Sequence, residues 1–231
     1  MKGVVAEKVI VQLWRILASQ SQRKHLLRWL GSRRQDYVLD AAVPWLTFDA
    51  IDALRRRLPP NAVVFEYGSG GSTLFWLKHG AHCTSVEHDA LWFALVGQRV
   101  GSNARLDYRL VPPDAEQPAC TDQDAADPKA YYSADAAFRQ HTFKTYARQI
   151  DEFPNEHFDV VLVDGRARPS CLMHAAPKVK RGGLLILDNA ERDYYTTRTK
   201  SYLRDFERAE FFGAGPSVNA MWRTDIYGRQ N

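Results

Sequence analysis

Apolar side chains recur at helical spacing through residues 4–30: Val5, Val9, Leu13, Ile16 and Leu17, then Leu26, Leu27 and Leu30. This predicts one or two helices, broken near Ser19–Ser21 and ended by Gly31-Ser32. Pro44 and Thr47 open a further helix that runs to Leu58, with Phe48, Ile51 and Leu54 on one face and Pro59-Pro60 as its stop. From there the pattern changes to short apolar runs separated by helical segments. Strands are predicted at Val63–Tyr67, Cys83–Glu87, Leu106–Val111, Phe158–Val163 and Leu184–Leu187. The intervening helices are Ser72–His79, Leu91–Val100, Phe138–Phe153 and residues 170–180, followed by Tyr202–Glu207. The tail, FFGAGPSVNAMWRTDIYGR, reads as two β segments about a Gly/Pro turn. Residues 112–138 lack periodicity and hold Pro112, Pro113, Pro118 and Pro128, which marks an insertion of the kind that forms lids.

Strands alternating with helices imply an α/β fold. It is a Rossmann-like, doubly wound, mainly parallel sheet, with an antiparallel C-terminal strand pair and N-terminal helices. The 231 residues divide into a basic helical extension, residues 1–43, and a main domain, residues 44–231, that carries the insertion. No apolar run approaches the ~20 residues that span a bilayer. The first residues carry charges within the apolar pattern, unlike a signal peptide, so a cytoplasmic protein is expected. Cys83, Cys120 and Cys171 have no metal-ligand spacing and read as free thiols.

Charge alters the picture at the N-terminus. The whole chain is +4, yet residues 1–34 hold eight bases against one acid, Glu7, a net +7. Such an arm suits peripheral contact with an anionic membrane or with nucleic acid, and equally the solvated face of a helix. No RNA-binding signature accompanies it, which disfavours nucleic acid.

The candidate chemistry starts in VVFEYGSGGST. An apolar strand reaches Glu66, and Gly68, Gly70 and Gly71 permit a tight turn with close approach to a ligand. Ser72 and Thr73 then cap a helix. In open α/β sheets ligands bind beyond the carboxyl ends of strands, where this loop, Ser69 included, lies. The spacing is neither the G-x-G-x-x-G of dinucleotide folds nor a phosphate loop. Glu87 closes the next strand 21 residues after Glu66, and an acid there can accept hydrogen bonds from both ribose hydroxyls.

Together, E-x-G-x-G-x-S and the following strand ending in Glu resemble the class I S-adenosylmethionine-dependent methyltransferases, over roughly residues 45–227. The resemblance implies S-adenosylmethionine as cofactor. Glu66 would hold its methionine end, Gly68, Ser69 and Gly70 would line the loop, Glu87 would bind the ribose, and His88 would flank the adenine.

Two later strand ends carry polar residues, Asp164 in FDVVLVDGRAR and Asp188-Asn189 in GGLLILDNAERDYY. Two carboxylates and an amide oxygen make a hard-oxygen set suited to Mg²⁺. The trio resembles that of cation-dependent O-methyltransferases of the catechol and caffeoyl type and of related sugar enzymes. There a cation would lower the pKa of a substrate hydroxyl and orient it. The lysine that those enzymes place after the first Asp is replaced here by Gly165-Arg166-Ala167-Arg168, and arginine cannot act as a base. Either Asp164 or a metal-bound hydroxide takes the proton, or the metal is absent and Asp164 contacts cofactor or substrate directly.

Arg166, Arg168 and Arg192 are expected around the same mouth, where they suit an anionic small-molecule, glycan or lipid-linked acceptor, or else salt bridges with Asp164, Glu191 or Asp193. Tyr194, Tyr195, Tyr131 and Tyr132 stack on a ring substrate or pack locally, and His174 reads as a packing or surface residue. VDGRAR lacks the Asn/Asp-Pro-Pro-aromatic run of many amino-group methyltransferases, which favours oxygen as acceptor over RNA or protein nitrogen. A non-catalytic, membrane-associated cofactor-binding protein is the reading from a different class.

Overall fold

The computed structural model describes residues 2–115 and 124–231, with side chains from residue 7 onward. Pro118 and Cys120 of the insertion lie outside the described residues. Seven strands form one sheet: β1 (Val63–Tyr67), β2 (His82–Glu87), β3 (Leu106–Leu110), β4 (Phe158–Val163), β5 (Val179–Leu187), β6 (Phe206–Gly213) and β7 (Trp222–Arg229). Their order is β3-β2-β1-β4-β5-β7-β6. The first five are parallel, and β7 runs antiparallel between β5 and β6.

Strand alternation sorts the side chains into two cores. Val64, Val160, Leu162, Leu184, Ile186 and Ile226 face one side, where α4 (Phe48–Arg57) and α5 (Gly71–Lys78) pack. The N-terminal helices α1 (Lys2–Ala18) and α2 (Leu26–Gly31) join this core through Ile16 and Trp29, both fully buried. Phe65, Tyr67, Val161, Val163, Leu185 and Leu187 face the other side, against α7 (Lys144–Ala147) and α8 (Arg168–Ala175). Short helices α3 (Tyr37–Asp40) and α9 (Tyr194–Thr197) sit near the strand ends, and α6 (Ala90–Val100) follows β2.

Three expected elements differ. Phe138–Phe153 is not one helix: Asp114 accepts hydrogen bonds from Thr142 Oγ1 and from the N–H groups of Lys144 and Thr145, so α7 begins only at Lys144. Residues 170–180 end their α-helix at Ala175, because Pro177 lacks an N–H, and β5 begins at Val179 with a register shift against β4. Tyr202–Glu207 is also not a helix. Phe206 and Glu207 pair with Arg229 and Gly228, so sheet pairing overrides local propensity.

The insertion is held to the body at several points. Tyr132 bridges Thr142, Asp124 pairs with Arg198 at 2.7 Å, and Asp135 pairs with Arg166 at 2.8 Å. Among the described residues no helix is long and apolar enough to cross a membrane.

Candidate active site

The β1–α5 loop is shaped from beneath. Glu66 is fully buried at the centre of the sheet, its Oε1 accepting from Thr73 Oγ1 and its Oε2 from Trp76 Nε1 at 3.0 Å. Thr73 Oγ1 also accepts the Gly70 N–H at 3.0 Å, so Glu66, Thr73 and the loop backbone form one chain of bonds. Burial raises the Glu66 pKa, against the lowering effect of its hydrogen bonds to Thr73 and Trp76. Glu66 thus sits below the loop rather than on the cavity wall, so any hold on a ligand passes through the loop it fixes. Gly68 has φ +91°, and a Cβ there would lie 3.1 Å from Gly165 N, where the β1 and β4 loops touch. At Gly71 a Cβ would meet Val43 O at 2.1 Å, so only glycine lets α5 start against the segment after α3.

Glu87, at the end of β2, is 3% exposed. Its Oε2 accepts from Ser69 N and Oγ at 3.0 and 3.2 Å, and its Oε1 from the N–H groups of His88 and Asp89 at 2.7 and 2.9 Å. Burial opposes its ionisation, but His88 and these N–H donors outweigh it and hold the pKa below the usual range. The His88 ring accepts from Arg166 Nε at 3.1 Å and packs edge-on against Phe138 and Phe143. Trp92 donates its indole N–H to Ser69 O at 2.8 Å, and Asp89 caps α6 below it.

These groups line one wall of a cavity of about 700 Å³. Gly68, Ser69, Gly70, Ser72, Glu87 and His88 all reach it, whereas Thr73 is buried behind the loop. Asp164, Asp188 and Asn189 line the cavity too, as do Val218, Ala220 and Met221 of the β6–β7 loop. Trp92, Trp45 and the β6–β7 loop are contributors that the sequence reading missed. Only the Asp89 cap, which puts Trp92 in the first turn of a helix beside the loop, was a readable signal.

The β4 and β5 ends share an internal cation. Arg168 is 7% exposed and donates from Nη2 to Asp164 Oδ1 at 2.9 Å and to Asp164 O at 3.1 Å. Its Nε donates to Gly165 O at 3.1 Å and its Nη1 to Asp188 O. Asp188 Oδ1 accepts from Trp222 Nε1 at 2.9 Å and from Thr224 Oγ1 at 2.6 Å. Burial and the Asp188 charge raise the Asp164 pKa, with Arg168 opposing, and burial likewise raises that of Asp188. Asp164 keeps 24% of its side chain open, whereas Asp188 is buried and tied to β7 through Trp222 and Thr224.

Asp164, Asp188 and Asn189 therefore come together as expected, but as a metal set they do not fit. One oxygen of each carboxylate is engaged, and a guanidinium already supplies positive charge between the strand ends, where it would repel a divalent cation. Among the described residues, no three His, Cys, Asp or Glu side chains are grouped to hold a metal.

The three arginines line a second cavity of about 320 Å³, with Tyr194 and Tyr195, but they are not equivalent. Arg168 is paired with Asp164, Arg166 is bound to Asp135 and His88, and Arg192 has no acid partner among the described residues. His174 bonds Tyr131 OH and Asp151 away from both cavities. Cys83 and Cys171 are buried free thiols.

Comparison with protein-family models and with curated sequences gives no match. Comparison with solved structures gives many. The O-methyltransferase TomG from Streptomyces achromogenes, in complex with SAM, superposes with a TM-score of 0.55 at 14% identity, over 86% of this chain and 92% of that one. An O-methyltransferase from Bacillus cereus in complex with SAH gives 0.51 at 14% identity, over 85% and 92%. The fold is that of the class I methyltransferases. Within this methyltransferase fold the glycine loop, Glu87 and Asp164 all stand at the carboxyl ends of adjacent parallel strands, β1, β2 and β4.

Proposed function

We propose that the protein transfers a methyl group from S-adenosylmethionine to a hydroxyl of a small molecule, sugar or lipid-linked precursor, without a divalent cation. One observation carries this reading: the Glu87-braced glycine loop and the partly open Asp164 carboxylate line one cavity side by side. Gly68, Ser69, Gly70 and Ser72 would hold the methionine part, Glu87 the ribose, and His88 and Trp92 the adenine. The cofactor, when bound, supplies an activated sulfonium methyl. The protein's own tasks are to seat the acceptor and to remove its proton. Asp164 accepts that proton, and Arg168 holds the carboxylate in place. Asp188 and Asn189 complete the wall beside it.

Calorimetry with S-adenosylmethionine and S-adenosylhomocysteine tests the first part. Micromolar-range affinity is expected, and folded protein that binds neither overturns the reading.

A second feature supports a peripheral membrane location. The outward face of α1 and α2 exposes Ile10, Trp14, Leu17, Leu27 and Leu30, with Trp14 68% and Leu27 81% exposed. The same segment carries Lys8, Arg15, Arg23 and Arg34, none with an acid partner among the described residues. An apolar face on a basic segment suits an anionic lipid surface. A second copy would bring two like-charged segments together across a twofold axis. Vesicles containing phosphatidylglycerol should bind the protein, and Trp14→Glu with Leu27→Glu should abolish binding. A dimer dissolved by the same pair of substitutions, with no vesicle binding, rejects the membrane in favour of self-association.

A further inference from the structure

The second cavity adjoins the first. Both are lined by Gly165, Arg166 and Arg168, so a ligand can lie across this ridge with one end beside Asp164 and the other in the smaller space. That space is enclosed by Tyr132 to Asp135 of the insertion on one side and by Arg192, Tyr194 and Tyr195 on the other. Its volume of about 320 Å³ suits a single-ring molecule.

The charges in this cavity are unequal. Asp135 neutralises Arg166 at 2.8 Å, and Asp164 neutralises Arg168 at 2.9 Å. Arg192 is left over. Its Nη1 donates to Tyr195 OH at 3.0 Å, and its guanidinium carbon lies 5.9 Å from the Tyr195 ring centroid. Arg168 lies 5.3 Å from the same centroid. The acids flanking Arg192 in sequence do not neutralise it among the described contacts. Glu191 accepts the Arg223 N–H, and Asp193 is exposed at the start of α9. Arg192 therefore brings an unneutralised guanidinium, held by Tyr195, to a pocket lined by tyrosines beside the ridge that leads to Asp164.

We infer that this cavity is the acceptor subsite and that it selects a hydroxyl-bearing ring compound with an oxyanion, a carboxylate or a phosphate monoester. The Arg192 guanidinium binds the anion through its forked donors, Tyr194 and Tyr132 border the ring, and the hydroxyl is presented over Gly165 toward Asp164. This inference rests on the methyl-transfer reading for its orientation, but not for its anion site.

Calorimetry separates the two. With protein saturated in S-adenosylhomocysteine, 3,4-dihydroxybenzoate and glucose 6-phosphate represent the two oxyanion sources, and catechol and glucose are their neutral counterparts. At least one anionic probe should bind more tightly than its counterpart by roughly tenfold or more, as expected for a charge-assisted pair. Arg192→Gln should erase that difference and leave the affinity for S-adenosylhomocysteine unchanged, while Arg192→Lys should retain part of it. Benzoate and inorganic phosphate are titrated against cofactor-free protein in parallel, so absence of S-adenosylhomocysteine binding sinks the cofactor reading alone. Equal affinity for charged and neutral probes overturns the inference, as does undiminished discrimination in Arg192→Gln. Silence from every anionic probe at millimolar concentration overturns it too.

Discussion

Arg168 Nη2 stands 2.9 Å from Asp164 Oδ1, four residues earlier, and the same guanidinium reaches the main-chain oxygen of Asp188 at the next strand end. A single buried cation thus ties β4 to β5 where the proposed reaction occurs. Replacing it by Gln leaves the Asp164 carboxylate without its ion-pair partner, next to the charge of Asp188. Arg168→Gln should cost about 3 kcal/mol in urea unfolding, in the range for breaking a buried pair, reduced because Asp164 is partly open. Methyl transfer by the unaltered protein should be insensitive to chelator. Dependence on added Mg²⁺ would show that the guanidinium does not serve in place of a cation.

The raised pKa of Asp164 sets the sign of two pH effects. As base, Asp164 must be ionised, so turnover should climb with pH along a limb displaced above the ordinary carboxylate value of about 4, and Asp164→Asn should remove the limb with most of the activity. In folding, the native state holds this proton more tightly than the unfolded chain. Stability attributable to Asp164 is therefore present below the unfolded pKa and is lost as pH rises toward the native one. Denaturation curves of Asp164→Asn should show a shallower decline across that window.

Glu87 should separate binding from folding only in part, because it both faces the cavity and braces Ser69. Glu87→Gln keeps the shape but turns one acceptor into a donor against the N–H groups of His88 and Asp89 or against Ser69. S-adenosylhomocysteine affinity should fall by roughly tenfold or more, with a loss of about 1–3 kcal/mol in stability. Unchanged affinity by calorimetry would remove Glu87 from the cofactor site.

Glu66→Gln tests action at one remove. The amide would set an NH₂ against either Thr73 Oγ1 or Trp76 Nε1, both of which now donate. A stability loss of about 1–3 kcal/mol is expected, together with weaker cofactor binding caused by a displaced Gly70. A full loss of affinity without any change in thermal unfolding would mean that Glu66 contacts the ligand itself.

Strand positions were legible because a buried parallel sheet writes short apolar runs. Val63–Tyr67 and Phe158–Val163 were read at their observed bounds, and Glu87 and Asp164 were readable as the polar residues that follow such runs. What escaped depends on distant chain segments. Nothing local shows that Asp114 reaches residues 142–145 to break a helix, or that Phe206 finds Arg229 across a turn. Arg166 and Arg168 share one local sequence, GRAR, and only folding distinguishes Arg168, which the turn after β4 brings back onto Asp164, from Arg166, which is drawn to the insertion. Arg192, between two acids in sequence, is paired with neither.

Gln12 donates to Ala220 O at 3.2 Å and Trp29 donates to Val218 O at 2.8 Å. Those two carbonyls belong to a loop that lines the larger cavity. The amino-terminal helices therefore govern the pocket's contour without touching its contents. The larger cavity is open to reshaping from behind, through helices that reach its wall by way of two carbonyls.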